Sequence, residues 1–232
     1  IYRCDWSSDV CSSDLAMGKM SAGIAHQLRT PLSTALLYAT HLCSEQLELQ
    51  DRVNFAKKLQ NQLIHLEKMA GEMLQFVRAR PHKTQIIALD ELVTEALQTL
   101  EGLSDEKNIH FEVALAAHNC MVSVERPSVV SAFIAILENA IQCSSPGQTV
   151  RVQTQADHLR GQLSVEDHGP GIAEDMLSRL FEPFATNRVS GTGLGLAIAQ
   201  NAIRSHRGEI TAQNKSQGGA LFVVALPSMA HF

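Results

Sequence analysis

No uninterrupted apolar stretch in this chain approaches the roughly 20 residues that a membrane-spanning helix needs, so the sequence contains no expected membrane span. Nor is there an apolar core near the start that would mark a secretory signal. Basic charge is scarce: 19 Lys and Arg stand against 24 Asp and Glu, a net charge of -5, with no basic cluster to seat the phosphates of a duplex. Direct nucleic-acid binding is therefore not expected. The five cysteines, Cys4, Cys11, Cys43, Cys120 and Cys143, form no CxxC pair and no zinc-like Cys/His spacing. They read as reduced thiols of a cytoplasmic protein. There is no GxxxxGK[ST] run, which excludes a P-loop and requires any nucleotide to be held in another way. What remains is ordinary globular composition, 45% apolar and 19% charged, in 232 residues, which is enough for one large or two modest cores.

The first fifteen residues, IYRCDWSSDVCSSDL, hold the single Trp, two cysteines and two SSD repeats, and show neither helical nor strand periodicity. They read as translated adapter sequence, and residues 1–15 are set apart from fold and function. From Ala16 the pattern turns helical. At about 100° per residue, Met20, Ile24, Leu28, Leu32, Ala35, Ala39 and Leu42 fall within about a third of a turn, a stripe expected to be buried. His26, which opens the run HQLRTPLS, projects away from that stripe, and Thr30 lies one turn further on. An exposed imidazole with a hydroxyl beside it is expected. Pro31 removes an N–H donor and crowds the preceding turn, which predicts a kink just below His26.

A polar stretch at residues 44–51 leads into a second helix. There Ala56, Leu59, Leu63, Leu66, Ala70, Met73 and Val77 repeat at alternating spacings of three and four, the a/d pattern of a coiled coil. Two helices cannot cover both stripes, whereas two hairpins about a twofold axis form a four-helix bundle that does, so a homodimer is expected. Residues 78–83, with Pro81, read as a linker between a hairpin domain, residues 16–80, and a second domain, residues 84–232. In the latter, helical periodicity at residues 90–103, 128–142 and 194–205 is interleaved with strand alternation at 109–115, 120–124, 150–155, 162–166, 209–214 and 220–226. Without strict βαβ alternation this predicts an α/β sandwich, with helices on one face of a mixed sheet.

Four short runs in this second domain carry nucleotide chemistry. In DHGPG, Asp167 ends a strand, where a carboxylate can accept from an exocyclic amine, and Gly169 and Gly171 let backbone approach a flat ring. GTGLGL places Gly191, Gly193 and Gly195, with Thr192 and Leu194 between them, at the opening of a helix, where free N–H groups favour phosphate. Asn139, in LENA, presents an amide oxygen suited to Mg²⁺. Phe181 and Phe184, in LFEPF, can pin a mobile segment between the two glycine runs. Taken singly, each has a plain structural reading as a tight turn, close helix packing, a satisfied core amide or core aromatics.

Together, in this order, they resemble the two-component sensor histidine kinases from residue 16 to residue 226. HQLRTPLS is similar to the phospho-acceptor box, LENA to the N box, DHGPG and GTGLGL to the two glycine boxes, and FEPF to the F box. The wording around His26 is most similar to kinases of the nitrogen- or flagellar-regulator type. The resemblance implies an α + α/β fold: a two-helix hairpin forming a dimeric four-helix bundle, followed by a GHKL (Bergerat) sandwich. It implies ATP and Mg²⁺, autophosphorylation on His26, and transfer to an aspartate of a response-regulator receiver. By position, Asn139 is the Mg²⁺ ligand and Asp167 the adenine reader. Gly169, Gly171, Phe184, Gly191, Thr192, Gly193, Leu194 and Gly195 surround nucleotide and lid, and Gly218 and Gly219 match a closing glycine pair.

Three departures matter. Gln27 stands where the family usually has a carboxylate; it can orient the His26 ring but cannot act as a base, which predicts slower autophosphorylation. Ala135 and Gln142 replace a usual Asn and Lys of the N box, leaving Arg188 in the lid as the candidate phosphate-facing charge. Ala135 also stands where gyrase-like relatives carry the carboxylate that activates water, so transfer is favoured over hydrolysis. Thr30 is placed to position water for receiver dephosphorylation. A receiver phosphatase with a weakened kinase site, or a free-standing GHKL ATPase, are the competing readings.

Overall fold

The computed structural model describes residues 28–44, 47–77, 83–188 and 191–229, without the side chains of residues 75–77. Contacts divide the chain into two units: residues up to Val77 together with Thr186–Thr192, and Arg78–Ala185 together with the residues from Gly193 onward.

The first unit is a helical hairpin of α1, residues 28–42, and α2, Leu49–Val77. Arg52 staples the connection, its guanidinium donating to the carbonyls of Leu47 at 3.2 Å and Ser44 at 3.1 Å. Nearby, the rings of Phe55 and His41 stack with centroids 4.9 Å apart, and Tyr38 lies 6.0 Å from the same phenyl ring. The expected buried stripe needs correction. Ala35 is buried and Leu28, Ala39 and Leu42 are half-buried, but Leu32 is 59% exposed. On α2, Leu59, Leu66 and Met73 are half-buried, whereas Ala56 and Ala70 are exposed and Leu63 is 53% exposed. Met69, off the predicted stripe, is buried. A hairpin has too little surface to cover two stripes, so part of each stays open. Met20 and Ile24 lie outside the described residues. The helix runs through Pro31. The carbonyl that this proline cannot bond is that of Gln27, so the expected kink also lies outside the described residues.

The second unit is the expected sandwich. Its main sheet is built from β2 (His110–Leu115), β4 (Thr149–Ala156), β5 (Arg160–Glu166), β6 (Glu209–Asn214) and β7 (Ala220–Pro227), in the order β2-β4-β5-β7-β6. β2 runs parallel to β4 and the other pairs are antiparallel. Alternation decides which face is covered. Val150, Val152, Leu163, Val165, Phe222 and Val224 are buried, while the intervening Gln153, Gln155 and Gln162 are not.

On the buried face lie α3 (Leu89–Lys107), α4 (Arg126–Cys143) and α6 (Gly195–Ser205), with α4 packed between the other two. Flanked on both sides, α4 is apolar around most of its circumference and buries Phe133, Ile136, Leu137 and Ile141. Two short elements were not predicted: β1 (Gln85–Ala88) and α5 (Glu174–Leu177), each four residues long and too short to show a period. β1 pairs antiparallel with β3 (Met121–Val124), so the predicted strand at 120–124 belongs to a separate two-stranded ribbon, not to the main sheet. The first turn of α3 is tied to β4 by Thr154 Oγ1, which donates to the buried Asp90 carboxylate at 2.6 Å.

Candidate functional site

Asp167 follows the last residue of β5 and is 1% exposed. Its backbone N–H donates to the Ala220 carbonyl at 3.0 Å. One carboxylate oxygen, Oδ1, accepts from the N–H groups of Gly169 at 2.9 Å and Ala220 at 3.1 Å. The other, Oδ2, is buried and has no hydrogen-bond partner. An orphaned buried carboxylate oxygen is costly, and such a group in a folded protein calls for a ligand donor. The exocyclic amine of adenine is one.

Backbone packs closely around Asp167. Gly219 takes φ +84°, and a Cβ there would collide with the Asp167 carbonyl. A Cβ at Gly169 would approach the Cys143 carbonyl to 2.5 Å. The loop is fixed at its far end by Asn214, whose side chain accepts from the Ile172 N–H and donates to the Ile172 carbonyl, both at 2.7 Å. At its near end, Lys215 Nζ lies 2.5 Å from Glu166 Oε1, and Arg151 approaches the same oxygen at 3.5 Å. The hydrogen bond from Lys215 outweighs partial burial and holds the Glu166 carboxyl below its ordinary value. His168 Nδ1 lies 2.8 Å from the Thr149 carbonyl.

Asn139 lies on α4 and is half-buried, less enclosed than its apolar helix suggested. One turn earlier, Ala135 faces the start of α6, 3.8 Å from where a Cβ on Gly195 would stand. Gln142 donates to Glu138 at 2.8 Å, so the residue standing in for the usual lysine holds the carboxylate next to Asn139. Phe184 takes a positive φ of 67°, and its N–H donates to the Gly193 carbonyl at 2.9 Å. Gly193 must lack a side chain here, because a Cβ would sit 2.5 Å from the Phe184 backbone. Leu194 is buried in full and offers a ligand only its backbone.

Arg188, Gly191 and Thr192 belong with the hairpin unit. There the Gly191 N–H donates to the Arg188 carbonyl at 3.2 Å, and Thr192 Oγ1 donates to Glu72 Oε2 at 2.5 Å. Thr30 is exposed on α1, and its carbonyl accepts from Thr34 Oγ1 at 3.0 Å. His26 and Gln27 lie outside the described residues. The structure thus packs Asp167, Gly169, Gly171 and Gly219 together and joins Phe184 to Gly193. Sequence reasoning missed Asn214 and Lys215, whose partners lie 42 and 49 residues away.

Residues 124–230 match the family described as histidine kinase-, DNA gyrase B-, and HSP90-like ATPase, and residues 16–82 match the His Kinase A (phospho-acceptor) domain. The sensor protein kinase FleS of Pseudomonas aeruginosa is 35% identical over 219 residues, covering 91% of this chain and 52% of that protein. The signal transduction histidine-protein kinase AtoS of Escherichia coli is 30% identical over 212 residues, covering 91% of this chain and 35% of that protein. The chain therefore spans about half, or less, of the length of these relatives. Among solved structures, the catalytic domain of histidine kinase ThkA is 26% identical, with a TM-score of 0.59 over 63% of this chain and 97% of its own. ThkA in complex with response regulator protein TrrA, 23% identical, aligns over 94% of this chain and 64% of its own with a TM-score of 0.81, a likeness of fold.

Proposed function

Because this chain belongs to the two-component sensor histidine kinases, we propose that it transfers the γ-phosphoryl group of ATP to its own His26 and then to an aspartate of a response-regulator receiver. The observation that carries this reading is the buried, unpartnered Oδ2 of Asp167, on a chain that also contains HQLRTPLS. Adenine donates its amine to that oxygen, while Gly169 and Gly219 let the backbone segments on either side of Asp167 pack closely enough to hold it in place. The phosphates run toward the first turn of α6, which opens at Gly195 after the cap residue Leu194, the end of a helix that favours anions.

Asn139 would hold Mg²⁺ through its amide oxygen, and the ion would supply charge neutralisation at the phosphates. A neutral ring nitrogen of His26 attacks the γ-phosphorus in line, the bond to the ADP oxygen breaks, and the ring proton leaves to solvent, since Gln27 accepts a hydrogen bond but no proton. The resulting phosphoramidate passes its phosphoryl group to the receiver carboxylate, and Thr30 serves the reverse, dephosphorylating function. Hydrolysis of ATP by water is disfavoured, because Ala135 offers no base and Glu138 is engaged by Gln142. No helix among the described residues is long and apolar enough to cross a membrane. Dependence on ATP favours a cytoplasmic place for this part of the protein, and the exposed leucines of the hairpin favour a homodimer.

Incubation with γ-labelled ATP tests the reading. Wild type acquires acid-labile label, His26→Gln acquires none, and Asp167→Asn loses at least tenfold in initial rate. Wild type that binds ATP yet never becomes labelled refutes it.

A further inference from the structure

The segment from Glu166 to Ile172 carries the adenine-facing aspartate, and two consecutive residues from the end of β6 grip its two ends. Asn214 takes both backbone groups of Ile172, each at 2.7 Å, and Lys215 takes the Glu166 carboxylate at 2.5 Å, with its Nζ 3.5 Å from the Asp167 carbonyl. In the β6–β7 ladder, Asn214 stands directly opposite Ala220, the residue whose N–H fixes Asp167 Oδ1. The turn joining these strands is closed by the Lys215 N–H on the Gly219 carbonyl at 3.0 Å and the Gly218 N–H on the Lys215 carbonyl at 3.2 Å.

From this arrangement we propose that Asn214 and Lys215 are positioning residues for base recognition, a strap that fixes where the free oxygen of Asp167 points and so sets the preference for a 6-amino purine. The inference rests on the nucleotide reading above and adds residues that touch no ligand.

The chemistry of each residue suits the role. A carboxamide alone among short side chains both donates and accepts in one plane, so Asn214 replaces a missing rung of strand pairing on Ile172. A carboxylate in its place would keep the acceptor but set a negative charge against the Ile172 carbonyl. Lys215 is enclosed, its side chain 18% exposed, and pulls on Glu166, the residue immediately before Asp167. With either tie cut, Oδ1 retains its two N–H donors, and the segment can pivot about them. Recognition by a single hydrogen bond is sensitive to such a pivot, since the bond weakens steeply with angle and distance.

Equilibrium binding of ADP and inosine diphosphate to the full chain tests this, because the latter carries a carbonyl where adenine has its amine. Wild type is expected to bind ADP at least tenfold more tightly. Asn214→Asp and Lys215→Met are each expected to lower that ratio threefold or more while changing the affinity for inosine diphosphate less than twofold. Asn214→Ser, whose hydroxyl both donates and accepts, should recover part of the preference. Should one variant fail to fold by circular dichroism, the other decides. An unchanged ratio, or equal weakening of both nucleotides, overturns the strap and leaves the kinase reading standing. Wild type without preference for ADP overturns both.

Discussion

Lys215 holds the Glu166 carboxyl below its ordinary value mainly by hydrogen bonding, against the opposing cost of burial, with the charges of Lys215, Arg151 and His168 adding to the effect. A depressed folded-state pKa contributes stability that is complete above the unfolded value and disappears as pH falls through the folded one. Replacing Lys215 with Met should therefore lower the melting temperature by a few degrees at pH 7, and the gap to wild type should narrow once pH drops below 4.5. Thermal melts of both proteins from pH 7 to pH 3 check this; a gap that is constant across the range contradicts it. Single residues differed in how readily the sequence revealed them. Asp167 and Gly169 sit two apart and make their bond locally, so a five-letter run contains their geometry. Asn214 and Lys215 act on residues brought close only by the sheet, and nothing in their own neighbourhood, AQNKSQ, announces it.

Two glycines, one before β4 and one in the β6–β7 turn, give a paired comparison. Gly219 and Gly147 both take φ +84°, but a Cβ on Gly219 meets the Asp167 backbone, whereas one on Gly147 meets nothing within 4 Å. Gly147→Ala should cost only the conformational strain, about 1 kcal/mol. Gly219→Ala adds the collision and should cost roughly 3 kcal/mol or more, read as a shift in urea midpoint. Equal losses would show that the close approach relaxes freely. Longer elements were legible because their periods span several repeats: α3, α4, α6 and the five strands of the main sheet appear close to where the pattern placed them. The four-residue β1 escaped, and with it the pairing of β3, because strand alternation identifies a strand without naming its neighbour.

The two units differ in how completely each covers its own apolar surface. The sandwich encloses a continuous core from Ile87 to Leu226. The hairpin leaves Leu32, Leu36, Leu37, Leu63 and Leu74 more than half exposed, a burden that a second hairpin would relieve. Sedimentation equilibrium should accordingly give twice the 25.3 kDa chain mass. The double variant Leu32→Glu, Leu63→Glu should sediment as a monomer yet still bind ADP. Wild type that stays monomeric at tens of micromolar would refute the expectation. The sheet order has its own consequence for biogenesis. β7 lies between β5 and β6, although both precede it in the chain. A ribosome delivers every neighbour before the strand that joins them, so nascent β5 waits with one edge bare. Until residues 220–227 emerge, Asp167 lacks its Ala220 donor, so the adenine-facing carboxylate is set only when the last strand of the sheet is in place.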